Sequence, residues 1–170
     1  MSRLGLPSAL LLVVLLAGKA SAQTQTEAEE FCRRMGRNQA LFELMLQATT
    51  SEALPKTGEV RCTWSFDQGL EVMLDSTVAR SATAARQTIL MARLPERNRG
   101  KTLESLTNVG DDAIYRATVE GGTTKLLELE AAKGRRHVLM TVRPRSGAGV
   151  TYIRVRASIA FLASGLRTAE

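Results

Sequence analysis

The sequence predicts an α+β fold: an antiparallel five-stranded sheet with helices packed mainly on one face, in the order helix, strand, strand, helix, strand, strand, strand, helix. Three observations predict it. Short segments alternate apolar and polar residues with the period of two that belongs to strands. The turns Asp67-Gln68-Gly69, Gly121-Gly122 and Lys133-Gly134 join neighbouring strands too tightly for anything but antiparallel pairing. Longer segments repeat apolar residues every three to four positions, as helices do.

The chain opens on a different kind of segment. Arg3 supplies a positive start, residues 10–17 (Leu-Leu-Leu-Val-Val-Leu-Leu-Ala after Ala9) an apolar stretch too short to span a bilayer, and Ala20-Ser21-Ala22 a small-x-small cleavage site. Residues 1–22 therefore read as a secretory signal peptide. The 170 residues less these 22 leave 148, one domain of ordinary size. Losing Arg3 and Lys19 takes the formal net charge from +6 to +4. Residues 23–30 are expected to be a flexible N-terminus, and 31–168 a single α+β domain.

A first helix is expected from about Glu27 to Thr49, with Met35, Leu41, Phe42, Met45 and Ala48 toward one side and Gly36 weakening its middle. Thr50 to Glu59, with Pro55 and Gly58, reads as a loop. Val60, Cys62, Trp64 and Phe66 alternate with polar residues, and after the turn Leu70, Val72 and Leu74 do the same: a hairpin. Ser76 or Thr77 can cap the next helix, whose apolar positions are Val78, Ala82, Ala85, Ile89 and Ala92 and which Pro95 stops. Arg86, Arg93 and Arg97 share a flank of it. Glu96 to Leu106 reads as charged and irregular. Three strands follow, carried by Ala113, Tyr115, Ala117 and Val119, by Leu127, Leu129 and Ala131, and by Val138, Met140 and Val142. A last helix is expected from about Val150 to Arg167, with Val155, Ile159, Leu162 and Leu166 as its apolar face.

Export places the chain in an oxidising compartment, and Cys32 and Cys62 are its two cysteines, so they are expected to form a disulfide. The loop they close contributes roughly 3–4 kcal/mol on a chain-entropy argument. Position 23 is Gln rather than a lipid-accepting cysteine, so the product is expected to be released in soluble form, periplasmic or secreted.

The order of signals is familiar. A cysteine in an early helix (Phe31-Cys32), then Cys62-Thr63-Trp64, a strand at Leu70 to Val72, Val109-Gly110-Asp111-Asp112-Ala113 and a terminal helix rich in alanine and leucine resemble a family of small exported domains of unknown function. That family includes the LpqN-type envelope lipoproteins, with a PsbP-like fold. The resemblance covers roughly Phe31 to Leu166, and the chain departs from the lipoproteins in lacking the lipidated cysteine. It implies an envelope-associated accessory or binding role and supplies no catalytic residues.

The residues themselves agree with that role. His137 is the one histidine, out of phase with Val138 and Met140, and is expected to be a surface imidazole. Asp111 and Asp112 are expected to start a strand rather than to bind a cation. No catalytic residue, cofactor or metal is therefore predicted. Arg135, Arg136, Arg143 and Arg145 flank one strand and are the candidate contacts for an anion or a partner. The chain reads as a non-catalytic accessory or binding protein of the cell envelope. Its partner is an envelope protein or an anionic lipid or glycolipid, not nucleic acid. The alternatives are a small periplasmic hydrolase, which needs two titratable groups within hydrogen-bond reach in a pocket, and a structural subunit of an envelope complex.

Overall fold

A computed structural model describes residues 25–37, 48–56, 59–66, 69–145 and 149–168. The expected signal peptide at 1–22 lies outside these residues. The described elements are helix α1 (residues 25–36), strands β1 (Ala48–Lys56), β2 (Glu59–Phe66) and β3 (Leu70–Val78), helix α2 (Ala82–Ala92), strands β4 (Lys101–Ser105), β5 (Asp112–Glu120), β6 (Thr123–Lys133) and β7 (Arg136–Pro144), and helix α3 (Tyr152–Thr168). A single turn of 3-10 helix, Pro95–Arg97, precedes β4.

The seven described strands form one antiparallel sheet in the order β1-β2-β3-β7-β6-β5-β4. The expected five strands, and the order of two strands before the middle helix and three after it, are therefore wrong. The sheet has three strands before α2 and four after it. The two missed strands, β1 and β4, are the two edges of the sheet. An edge strand needs neither a second ladder nor a buried face, so its sequence need not alternate. Pro55, which makes 50–59 read as a loop in sequence, pairs opposite Val60 on β1; a residue without an N–H is tolerated where one side of the strand has no neighbour. Residues 25–30, within the N-terminus expected to be flexible although the helix is expected from Glu27, are helical; 38–47 of that expected helix lie outside the described residues, and Ala48 and Thr49, expected at its end, belong to β1.

Alternation along the strands gives the sheet two unlike faces. On one, Cys62 and Trp64, Leu70, Val72 and Leu74, Leu127, Leu129 and Ala131, and Val138, Met140 and Val142 form the main core. Phe31, Cys32 and Met35 of α1 and Phe161, Leu162 and Leu166 of α3 cover it. Trp64 meets Phe161 edge-on, with ring centroids 5.4 Å apart. Cys32 and Cys62 are bonded, their Cα atoms 5.5 Å apart, and tie α1 to β2.

The middle helix lies on the opposite face. Ala85, Ile89 and Ala92 of α2 pack on Ile114 of β5 and Ala132 of β6, which alternate with the residues of the main core. Ser81, not Ser76 or Thr77, caps α2, its hydroxyl accepting the Ala84 N–H at 3.1 Å; Val78, expected inside the helix, ends β3. Gly110 adopts φ +62°, and a Cβ there would stand 2.4 Å from the Ala132 carbonyl oxygen, so the chain can enter β5 this close to β6 only with glycine.

Candidate functional site

The four arginines singled out from the sequence do not come together. Arg143 and Arg145 meet on one carboxylate at one end of β7: Arg143 Nε donates to Glu71 Oε1 at 2.6 Å and Arg145 Nη2 to Glu71 Oε2 at 3.0 Å. Arg145 also donates to the Ser65 hydroxyl at 2.8 Å. Burial alone would raise the Glu71 carboxyl, but the two guanidinium groups outweigh it and hold the carboxyl below its ordinary value. Arg135 and Arg136 sit at the other end of β7. Arg135 Nε donates to the Ala79 carbonyl at 3.0 Å. Arg136 donates to the Ser76 hydroxyl at 2.8 Å and lies over the Phe31 ring, 4.6 Å from its centroid. Half-buried there, it is pushed below the usual arginine value.

His137 is not the surface imidazole expected from its phase. Its side chain is 14% exposed, and its Nε2 is hydrogen-bonded to the buried Glu130. The strand alternation is as expected, but the face opposite the main core is itself partly closed. Across it runs a chain of charges. Lys101 Nζ lies 2.5 Å from Glu128, Glu128 lies 3.7 Å from Arg116 Nε, and Arg116 Nη2 lies 2.9 Å from Glu130. Asp111 and Asp112 also have structural tasks. Asp111 accepts the Gly134 N–H at 2.7 Å, and Asp112 accepts from Arg93 Nη2 at 2.6 Å, fixing the end of α2 to β5. Among the described residues, no three His, Cys, Asp or Glu side chains are grouped as metal ligands.

A groove was missed from the sequence. It has a volume of about 510 Å3, within the range of about 300–1,000 Å3 common for small-ligand sites. Its floor is Tyr115 and Ala117 of β5 with Thr102 of β4. One wall is the β5–β6 hairpin, with Val119, Gly122, Thr123 and Thr124. The other is Gly149, Val150, Thr151, Tyr152 and Val155, where the chain enters α3. The second wall is fastened to the first: the Val150 N–H donates to the Thr124 carbonyl at 2.8 Å, and Gly149 lies so close that a Cβ there would strike Thr123. The Thr151 hydroxyl accepts the Arg154 N–H at 3.4 Å and starts the helix.

The lining is uncharged. Six of its twelve residues, Thr102, Tyr115, Thr123, Thr124, Thr151 and Tyr152, carry hydroxyl groups, and the rest are small or aliphatic. Tyr152 stands at the rim, 73% exposed. Desolvation and a hydrogen bond to Glu104, the residue opposite it on β4, push the Tyr115 phenol up to about 12. At neutral pH it is a neutral group that donates to Glu104, not an activated base or nucleophile. The groove residues come from four separated segments with no motif of their own. The one local signal was that Tyr115, Ala117 and Val119 share a phase.

No protein family, curated protein or solved structure matches the chain. No helix among the described residues is long and apolar enough to cross a membrane.

Proposed function

We propose that this protein is a non-catalytic binding module of the cell envelope, periplasmic or secreted, that takes a neutral, hydroxyl-rich ligand such as a saccharide unit in the groove at the head of α3. The observation that carries this reading is the lining: six hydroxyl-bearing residues and no charged side chain. Threonine hydroxyls both donate and accept, which suits a ligand whose own hydroxyls do the same. Tyrosine faces offer an apolar platform with a polar tip. The disulfide between Cys32 and Cys62 agrees with an oxidising compartment. The resemblance to the LpqN-type domains points to the same broad role and rests on the residues quoted for it.

Titration calorimetry against a panel of neutral and charged saccharides tests the proposal. Neutral saccharides are expected to bind, and Tyr152→Ala and Thr124→Val each to weaken them about tenfold with the fold unchanged. Binding that is indifferent to both substitutions, or confined to charged ligands, overturns it. A second reading is supported by Arg143 and Arg145, which share one carboxylate and are 55% and 56% exposed, leaving a surplus positive charge. An anionic group contacting that pair would be released by salt and by Arg143→Glu.

A further inference from the structure

Helix α2 is apolar on both sides. Its small residues, Ala85 and Ala92 with Ile89, face the sheet and are buried. Leu90 and Met91, and Leu94 just past the helix, point away from the sheet and are 55%, 46% and 40% exposed. This inverts an ordinary surface helix, which turns its large apolar residues inward. Leu94 follows Leu90 by four positions and Met91 by three, and its N–H donates to the Met91 carbonyl at 3.4 Å, which holds it at the end of the helix.

The surroundings of this stripe are basic. Arg80 and Arg86 lie toward its N-terminal end and Arg97 and Arg99 toward its C-terminal end. All four are exposed, and none is ion-paired among the described residues. Between residues 79 and 100 the chain has five arginines and one glutamate. That surplus of four equals the formal net charge of the whole chain after residue 22.

We infer that α2 is a docking face for an anionic phospholipid bilayer, with Leu90, Met91 and Leu94 entering the headgroup boundary and the arginines pairing with phosphates. Apolar side chains ringed by guanidinium groups are the chemistry of helices that lie in such an interface. A second copy of the chain is a poorer occupant, because apposing two such faces brings eight unpaired arginines together. The surface also leaves the groove free. Tyr115 and Ala117 alternate along β5 with Ile114, on which α2 packs, so the groove opens from the other face of the sheet.

The test is co-sedimentation of residues 23–170, which include every described element, with vesicles of phosphatidylcholine alone and of phosphatidylcholine mixed with phosphatidylglycerol. Binding is expected only to the mixed vesicles and is expected to fall as salt rises. Leu90→Ser with Leu94→Ser, and separately Arg86→Glu with Arg97→Glu, are expected to weaken it roughly tenfold or more at an unchanged melting temperature. A Met91→Trp variant gives an independent readout: its fluorescence is expected to shift to the blue on mixed vesicles. No binding to anionic vesicles, full binding by both double variants, or a Met91→Trp spectrum that vesicles leave unmoved overturns the proposal. So does a concentration-dependent dimer that the Leu90→Ser, Leu94→Ser variant abolishes.

Discussion

His137 Nε2 lies 2.8 Å from Glu130 Oε1, and both side chains are almost withdrawn from water, at 14% and 7% exposure. Glu130 gives its other oxygen to Arg116, itself 8% exposed. A carboxylate in this position is tolerable only while its partners remain.

His137→Ala is therefore expected to cost about 1–2 kcal/mol, above the half kcal/mol typical of a surface change, because it leaves one buried oxygen of Glu130 short of a donor. Glu130→Ala, which takes from the buried Arg116 its hydrogen-bonded carboxylate and leaves it only Glu128 at 3.7 Å, is expected to cost roughly 3 kcal/mol. Urea unfolding of the two variants checks both values. A loss at His137 within the noise of the measurement would return it to the surface role expected from the sequence.

Gly110 and Gly100 separate two costs that usually come together. Both have positive φ, +62° and +73°, but a Cβ at Gly100 meets nothing within 4 Å, whereas at Gly110 it would collide with the Ala132 carbonyl. Gly100→Ala is expected to cost about 1 kcal/mol from backbone strain alone, and Gly110→Ala roughly 3 kcal/mol or more. Equal losses by thermal unfolding would deny the clash.

Tyr115 gives the fold a limit on the alkaline side. Its folded value of about 12 is above the ordinary 10, so the folded state holds the phenolic proton more tightly than the unfolded chain. The resulting stability is complete below pH 10 and is lost as pH rises from there toward 12. Absorbance titration of a Tyr152→Phe variant isolates the Tyr115 phenol. Glu104→Gln is expected to lower its midpoint, since it removes the carboxylate that accepts the proton's hydrogen bond and repels the phenolate.

The disulfide spans 30 residues of sequence. Replacing Cys32 and Cys62 by serine is expected to lower stability by roughly 3–4 kcal/mol and to loosen α1 first. Hydrogen exchange along residues 25–36, against that in β7, reads the order of loosening.

The interior of the sheet was legible because burial on one face imposes a period of two: Leu70, Val72 and Leu74 could be assigned to a strand on sight. The edges were not. Residues 101–105, Lys-Thr-Leu-Glu-Ser, have one apolar member, and their strand state comes from pairing with β5, not from their own pattern. The end of the first helix is hidden in the sequence for the same reason, since 48–56 becomes a strand only beside β2. The arginines at the ends of β7 were visible as a cluster in sequence. That Glu71 would claim two of them, from 72 and 74 positions away, was not. The groove was least visible of all, because hydroxyl residues at 102, 115, 123, 124, 151 and 152 share no spacing and meet only through the hairpin and the start of α3.

The two borders of the sheet have one more consequence. A border strand is an open template on which another molecule can lay its own backbone. Here β1 has a proline within it, which cannot donate to an added ladder, and β4 is five residues long and bears Lys101 and Glu104. The polarity that hides these strands in the sequence also makes them poor seeds for cross-β growth.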